Sequence, residues 1–204
     1  MASGADTAIA RARKALRAEL RARPRAIDPR MRASAARQVA HHAERRFALH
    51  PGARIALYAP LAEELDVAPL ARAVRRHHAL VFLPRIVDRR ACRMRFAADA
   101  GPRRPNRLGI MEPEGMKWLA AGSLDLVFVP LVGFDERGNR LGMGAGYYDR
   151  AFAFLERRTA WRRPKLIGVA FAAQRVDAIA AERHDVRLDA VVTEDGVIEC
   201  HRDS

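Results

Sequence analysis

The sequence predicts a three-layer α/β/α fold, in which a mostly parallel, Rossmann-like sheet lies between two layers of helices. Two observations support this class. Short apolar runs, typical of buried strands, alternate with longer segments of helical periodicity, and such alternation produces βαβ units. A glycine cluster also directly follows one apolar run, and ligands of these folds bind beyond the carboxyl ends of the strands. With 204 residues, the chain is expected to form one domain over residues 1–204.

The N-terminal half is predicted to contain three helices and three strands. Pro24 ends the first helix, which is rich in Ala, Arg and Leu. Asp28 is a suitable N-cap for the second helix, because Pro29 follows at the first helical position, and Asp66 caps the third. A Pro/Gly-rich connection covers residues 101–115. The predicted helices span residues 7–22, 29–49 and 67–78, and the predicted strands span residues 54–58, 80–83 and 92–96.

The C-terminal half is predicted to hold most of the remaining sheet. An apolar strand over 126–129 is closed by Pro130 and followed by the glycine-rich loop. A helix over 147–158 and strands over 165–170 and 189–193 come next. The turn at residues 194–196 then leads into residues 197–200 as a hairpin.

The glycine-rich loop carries the clearest functional signal, and residues 140–150 read RLGMGAGYYDR. Gly142, Gly144 and Gly146 permit positive φ and close backbone approach, so successive N–H groups can face one anion at the start of a helix. Arg140 supplies a planar cation for phosphate oxygens. Asp149 is a carboxylate beside this anion site, which indicates a magnesium ligand. The spacing matches neither the dinucleotide-binding pattern nor a Walker loop.

This segment resembles the signature of the 5-formyltetrahydrofolate cyclo-ligase family, also called 5,10-methenyltetrahydrofolate synthetases. Further matching motifs follow one another in the family's order along most of the chain. They are Arg13-Lys14-x-Leu16-Arg17, residues 55–60 with Glu64-Leu65-Asp66, residues 81–84, Gly109-Ile110-Met111-Glu112-Pro113, residues 167–171 with Gln174, His184-Asp185, and residues 191–194. Two departures occur. Met143 stands where an arginine is common, and Ala180-Ala181 replaces the usual Leu-Pro.

The resemblance implies ATP- and magnesium-dependent cyclisation of 5-formyltetrahydrofolate to 5,10-methenyltetrahydrofolate, with release of ADP and phosphate. The formyl oxygen attacks the γ-phosphate to give an imidate phosphate, and the folate N10 then displaces phosphate. No enzyme nucleophile is needed, so alignment of the substrates and electrostatic stabilisation are the expected contributions of the protein.

The resemblance also assigns residues to these roles. Arg140 and Asp149 are the expected catalytic residues, and Asp149 and Asp185 the expected magnesium ligands. Glu64 is expected to bind the pterin ring, with Met143, Gly144, Ala145, Gly146 and Tyr147 also at the folate. The expected ATP-binding residues are Arg13, Lys14, Arg17, Arg140, Leu141, Gly142, Met143, Gly144, Ala145, Gly146, Tyr147 and Tyr148.

On the residues alone, several of these positions could also have structural or solvent-exposed roles without a ligand. Arg13, Lys14 and Arg17 also suit a solvated basic helix face, and Glu64 suits a surface turn. One of the two adjacent tyrosines is expected to face the core, because neighbouring helical residues point in different directions.

Composition narrows the possible classes of partner and compartment. The formal net charge is +13, but the arginines are scattered and no aromatic-interleaved RNA motif occurs, so no specific nucleic acid is expected. No apolar run reaches transmembrane length. Two isolated cysteines and the absence of a secretory signal suggest a cytoplasmic protein, and a monomer is expected.

Two alternatives to the cyclo-ligase function are kept. One is a catalytically inactive nucleic-acid-binding regulator, and the other is a sugar-phosphate isomerase or acyl-transfer enzyme on a similar scaffold.

Overall fold

The computed structural model describes residues 4–105, 111–113, 118–158 and 163–201. Residues 109 and 110 of one predicted motif therefore lie outside the described residues. The helices are α1 (Gly4–Arg25), α2 (Pro29–Arg46), α3 (Ala68–Arg76) and α4 (Tyr147–Phe152). The strands are β1 (Arg54–Ala56), β2 (Leu80–Asp88), β3 (Arg93–Ala98), β4 (Arg103–Pro105), β5 (Met111–Pro113), β6 (Trp118–Leu119), β7 (Leu126–Pro130), β8 (Gly133–Phe134), β9 (Arg140–Leu141), β10 (Lys165–Val169), β11 (Ala190–Thr193) and β12 (Gly196–Glu199).

Eight strands form one mixed sheet in the order β12-β11-β10-β7-β1-β2-β3-β6. The five central strands, β11, β10, β7, β1 and β2, are parallel to one another, and the outer strands pair antiparallel. This confirms the α/β class with a mostly parallel sheet. The 101–115 connection contains the small β4–β5 ribbon, which the sequence analysis did not predict.

The predicted N-cap Asp28 of α2 is confirmed, whereas Asp66 lies one residue before the N-cap of α3, which is Val67. The Asp28 carboxylate accepts a hydrogen bond from the backbone N–H of Arg30 at 2.8 Å, and the Asp66 carboxylate accepts one from Ala68 N–H at 2.8 Å. These side chains satisfy amide groups that have no partner within the helix.

The helix ends differ from the predicted ones. Helix α1 includes Pro24 in its last turn and ends one residue later. Helix α2 stops at Arg46 because Phe47 turns to an extended conformation and buries its ring edge-on against Phe128, with the centroids 5.9 Å apart. The predicted helix 147–158 is α-helical only to Phe152 and continues as a 3₁₀ turn over Ala153–Arg157. The tighter turn brings residues three apart onto one side, and both Phe152 and Leu155 are buried.

Two apolar clusters cover the two faces of the sheet. Helices α2 and α3 pack on one face, around Ile55 and Phe128. Helix α4 and the following 3₁₀ turn pack on the other, around Phe96 and Val127. A third cluster joins Leu20 of α1 to Val132, Leu141 and Ile179, and so places α1 against the β8–β9 hairpin. Among the described helices, none is long and apolar enough to cross a membrane.

Candidate active site

A cleft of about 880 Å³ lies at the carboxyl ends of the central strands. Tyr58, just after β1, and Pro130, at the end of β7, line its floor, and Pro84 and Ile86 of β2 line one wall. Helix α1 and the glycine-rich loop also contribute to the lining. The cleft therefore occupies the position where open parallel sheets bind ligands, as the sequence predicted for the loop.

The glycine-rich loop depends on conformations that favour glycine. Gly144 has φ +101° and Gly146 has φ +69°, both in the region that side-chain-bearing residues rarely adopt. A Cβ atom at Gly146 would also lie 2.7 Å from Nη1 of Arg150. Gly142, Met143, Gly144, Ala145 and Gly146 all line the cleft, whereas Leu141 does not. Leu141 is instead buried against α1, so its side chain holds the loop in place.

Arg140 and Asp149 form an ion pair within the cleft lining. Nη2 of Arg140 donates to Oδ1 of Asp149 at 2.5 Å, and the Arg140 side chain is only 5% exposed. Nη1 of Arg140 donates to the carbonyl of Val186, and the N–H of Val186 donates to Oδ1 of Asp149 at 3.2 Å. The two expected catalytic side chains are thus adjacent, and one backbone segment fixes both.

Arg13 and Asp185 form a second buried pair on the cleft wall. Nη1 of Arg13 donates to Oδ2 of Asp185 at 2.6 Å and to the carbonyl of Ala180 at 2.6 Å. Nη2 donates to Oδ1 of Asp185 at 3.3 Å. The Arg13 side chain is 5% exposed, and its Nε is buried without a hydrogen-bond partner among the described residues. The Arg13 guanidinium and the Asp185 carboxylate therefore use most of their hydrogen-bonding groups on each other.

Arg17 is the α1 arginine with more of its guanidinium available. Its Nε donates to the carbonyl of Gly142 at 3.0 Å, and its guanidinium carbon lies 4.0 Å from where a Cβ of Gly144 would be. Arg17 therefore lies over the loop beside Met143, which is 46% exposed. Its positive charge stands near the position at which the resembled family commonly has an arginine. Lys14 is exposed and does not line the cleft. The predicted three-residue basic face is thus reduced at the cleft to Arg13 and Arg17.

Glu64 is half-buried in the lining of the cleft. Its Oε2 accepts a hydrogen bond from the N–H of Leu61 at 2.8 Å. Burial raises the pKa of the Glu64 carboxyl above its ordinary value, and the neighbouring Glu63 carboxylate adds to the rise against that hydrogen bond. Burial and the nearby Glu64 charge also raise the pKa of Tyr58 and of Tyr148.

Both residues of the Tyr147-Tyr148 pair line the cleft. Tyr148 also stacks on Phe152, with ring centroids 6.3 Å apart and planes 19° from parallel, and it packs against the core. Tyr148 is therefore the tyrosine that faces the core, as expected for one member of the pair, but it borders the cleft as well.

Asp135 is a buried residue that the sequence analysis did not identify. It is 1% exposed. Its Oδ1 accepts the N–H groups of Arg137 and Asn139, each at 3.0 Å, and its Oδ2 accepts the Asn139 amide and the Ile179 N–H, each at 2.9 Å. It thereby joins the hairpin that carries Arg140 to the segment that leads to Asp185. Its place in a polar turn after an apolar strand was the available signal.

The carboxylates of the cleft fit magnesium that arrives bound to a nucleotide. Within the described residues, no group of three His, Cys, Asp or Glu side chains could hold a metal ion by itself. Magnesium usually takes one or two carboxylates and completes its coordination with phosphate oxygens and water. Asp149 suits this role, because its side chain is 26% exposed and its described hydrogen bonds use Oδ1 only. Asp185 suits it less well, since Arg13 contacts both of its oxygens.

Comparisons with known proteins agree with the motifs. The profile of the 5-formyltetrahydrofolate cyclo-ligase family matches residues 9–194. A 5-formyltetrahydrofolate cyclo-ligase of Haemophilus influenzae is 30% identical, over 86% of this chain and 94% of its own length. The mouse protein of that name is 29% identical, over 90% of this chain and 94% of its own. The structure of Aquifex aeolicus 5,10-methenyltetrahydrofolate synthetase superposes with a TM-score of 0.78 at 25% identity, covering 94% of both chains. The predicted enzyme class is therefore confirmed, and the chain belongs to the 5-formyltetrahydrofolate cyclo-ligase family.

Proposed function

We propose that the protein converts 5-formyltetrahydrofolate and ATP to 5,10-methenyltetrahydrofolate, ADP and phosphate. The observation that carries this proposal is that one cleft is lined by two chemically different sets of residues. Arg17, Arg140 and the glycine-rich loop, which Arg17 contacts, make up what we call the cationic end, and Asp149 lies there as the partner of Arg140. Tyr58, Ile86 and Met94 give the cleft an apolar lining, which we call the apolar part, and the carboxylate of Glu64 lines the same cleft. One cleft can therefore hold a polyphosphate and a flat aromatic substrate side by side.

The cationic end suits transfer of a phosphoryl group. Arg17 reaches over the loop from α1, and Arg140 lies at the loop's start. Backbone N–H groups of residues 142–146 and the Arg17 guanidinium would hold the phosphates. The buried Arg140, which already donates to Asp149 and to the Val186 carbonyl, would stabilise the developing charge through its electrostatic field. The remaining expected ATP contacts have supporting roles. Arg13 orders the 180–185 segment, Leu141 anchors the loop, and Lys14 adds only long-range charge.

The apolar part suits the pterin and benzoyl rings. The Glu64 carboxylate would accept hydrogen bonds from the ring N–H groups, which are donors that suit an ionised acceptor. Tyr147 and the loop residues 143–146 also line the cleft and would contact both substrates. The formyl oxygen can then attack the γ-phosphate, and N10 can close the ring as phosphate leaves, without a nucleophile from the protein.

Asp149 is the proposed main protein ligand of magnesium. Asp149 would hold the magnesium that accompanies ATP, which when bound would supply positive charge to neutralise part of the phosphate charge. Asp149 also orients Arg140 through their hydrogen bond, so it serves both metal and cation. Asp185 is the second candidate, and its carboxylate becomes available if its pair with Arg13 opens. A cytoplasmic location and a monomeric state stay predictions.

The test is a coupled assay with the purified chain. Substrate, ATP and magnesium are mixed, and methenyltetrahydrofolate absorbance and ADP release are followed together. We expect product only when ATP and magnesium are both present, with one ADP per product. Product without ATP, or none at any ATP concentration from folded protein, would refute the proposal. Lys14→Gln is a control variant that should keep full activity, because it removes a positive charge from α1 outside the cleft lining.

A further inference from the structure

Glu64 belongs to a turn between β1 and α3, residues 61–65, which we call the acidic turn. Two hydrogen bonds close this turn on itself. The N–H of Glu64 donates to the carbonyl of Leu61 at 3.0 Å, and the N–H of Leu61 donates to Oε2 of Glu64 at 2.8 Å. Because both bonds lie within the turn, they do not fix its position relative to the cleft. That position has to come from contacts with other elements.

Arg32 of α2 makes such contacts with the backbone of the acidic turn. Its Nη2 donates to the carbonyl of Ala62 at 2.6 Å and to the carbonyl of Glu64 at 3.1 Å. Its Nη1 donates to the carbonyl of Pro24 at 2.8 Å, in the last turn of α1. A guanidinium presents its donors in a rigid, planar fork. Arg32 therefore holds the backbone at Glu64 in a fixed relation to both α1 and α2.

The guanidinium of Arg32 is itself held by the sheet. Its carbon atom lies 5.2 Å from the centre of the Phe171 ring, and a cation over an aromatic face is attracted to it. Phe171 is buried and follows just beyond the end of β10. The acidic turn is thus connected through Arg32 to the end of a central strand, at the edge of the sheet where the cleft lies.

Other arginines bind the acidic turn less directly. Arg21 and Arg25 of α1 both contact the carboxylate of Glu63. These contacts end on a side chain, which can rotate without moving the backbone that carries Glu64. Arg32 binds the carbonyl of Glu64 itself, so its loss should displace the Glu64 carboxylate more.

We propose that Arg32 is a positioning residue for the folate substrate and that it acts through Glu64. This rests on the proposed function, in which Glu64 accepts hydrogen bonds from the pterin ring. Arg32 is not among the described residues that line the cleft, so its effect on the substrate must pass through the acidic turn. A displacement of a binding group by about 1 Å can cost a large factor in catalysis. Loss of Arg32 should therefore weaken the use of folate and leave that of ATP unchanged.

The experiment is a double-mutant cycle of Arg32→Gln and Glu64→Gln, measured as the KM for 5-formyltetrahydrofolate. In the wild-type background, Arg32→Gln should raise this KM by about tenfold, with the KM for ATP unchanged. In the Glu64→Gln background the same change should raise it by less than about twofold, because the carboxylate that Arg32 positions is already absent.

Two further variants support the cycle. Arg32→Lys keeps the charge but lacks the planar fork, so it should give an intermediate KM for folate, and it takes the place of Arg32→Gln in the cycle if that variant does not fold. Arg37→Gln is the matched control. It removes the same charge from an exposed position on the same helix, and it should change neither KM.

Amide hydrogen exchange tests the positioning without any substrate. The N–H groups of Leu61 and Glu64 are both hydrogen-bonded within the acidic turn, so their exchange reports its local opening. Arg32→Gln should speed this exchange by about tenfold or more, since it removes charged hydrogen bonds to the turn. Arg37→Gln should leave it unchanged.

Several results would overturn the proposal. An unchanged KM for folate in Arg32→Gln would do so, as would unchanged exchange at residues 61 and 64. An equal rise in KM in both backgrounds would show a general loss of structure instead of an effect through Glu64. If the wild-type chain makes no methenyl product, the proposed function fails. Hydrogen exchange and calorimetric titration of 5-formyltetrahydrofolate into the same variants then still decide the role of Arg32.

Discussion

Replacing Asp149 by Asn tests two roles of this residue that the structure separates. In the fold, Oδ1 of Asp149 accepts hydrogen bonds from Arg140 and Val186. In the proposed reaction, the charge of the carboxylate holds magnesium. The amide oxygen of Asn can keep the shape and both acceptor contacts, but it lacks the charge. Stability should therefore change little compared with catalysis.

The magnitudes follow from these contacts. A charge-assisted hydrogen bond contributes about 1.5–3 kcal/mol and a neutral one about 0.5–1.5 kcal/mol, so Asp149→Asn should lower the free energy of unfolding by about 1–2 kcal/mol. For a chain of this size, that is a fall in Tm of about 2–8 °C. Loss of a metal-binding charge at the transferred phosphoryl group should lower kcat by about 100-fold or more, as for other lost electrostatic contacts to a transition state.

The assay measures rate against magnesium concentration at saturating substrates, with chemical denaturation run in parallel. We expect Asp149→Asn to need at least about tenfold more magnesium for half-maximal rate. Asp185→Asn serves as the comparison. Because Asp185 pairs with Arg13, this change should mainly lower stability and shift the magnesium requirement less. A normal magnesium dependence of Asp149→Asn, with only the stability loss, would refute the metal role and leave Asp149 as a partner of Arg140.

Three further changes test other parts of the site. Arg17→Gln should raise the KM for ATP by about tenfold or more through loss of a charged phosphate contact, whereas Lys14→Gln should leave it unchanged; steady-state kinetics measure both. The KM for the folate should rise as the pH falls through the raised pKa of Glu64, because protonation removes the charged acceptor, and Glu64→Gln should give a high KM without this dependence. In Asp135→Asn the new amide NH₂ group would face N–H donors such as the Asn139 amide. Denaturant titration should therefore show a free energy of unfolding lower by about 1–3 kcal/mol.

Each of these expectations has a contrary result. Equal effects of Arg17→Gln and Lys14→Gln on ATP would mean that only long-range charge matters. A wild-type pH profile retained in Glu64→Gln would place the titrating group elsewhere. The pH dependence of stability has the opposite sign to the pH dependence of folate binding. Because the folded-state pKa of Glu64 is raised, wild-type stability relative to Glu64→Gln should fall as the pH rises through that pKa. Unchanged stability of Asp135→Asn would show that its hydrogen bonds contribute little.

Features set by neighbouring residues could be predicted from the sequence. The side-chain contacts of Asp28 and Asp66 at the helix starts depend on groups two residues away, and the glycine-rich loop depends on the conformations that its own residues allow. The early end of α2 depended instead on Phe47 packing against Phe128, far along the chain. A helix pattern contains no information about that contact, so it predicted three residues too many.

The partners of the charged site residues could not be predicted in the same way. Arg13 and Asp185 are 172 positions apart, and each was predicted to contact ATP or its metal. Only the packing of α1 against the β8–β9 hairpin brings them together. The Ala180-Ala181 departure lies beside this pair, and the Ala180 contact to Arg13 uses a backbone carbonyl, which every residue type offers. The replacement therefore does not remove the contact.

The basic face of α1 has a structural use that explains part of the arginine content. Spaced four apart, Arg13, Arg17 and Arg21 each bind a different segment around the cleft. Arg13 contacts Asp185, Arg17 contacts the Gly142 carbonyl, and Arg21 contacts Glu63 at 3.0 Å. A helix face whose sequence indicates an anion-binding surface thus uses most of its hydrogen-bonding groups for contacts within the protein. Only Arg17 keeps much of its guanidinium available, which is why its replacement, rather than that of Arg13, is the cleaner test of phosphate binding.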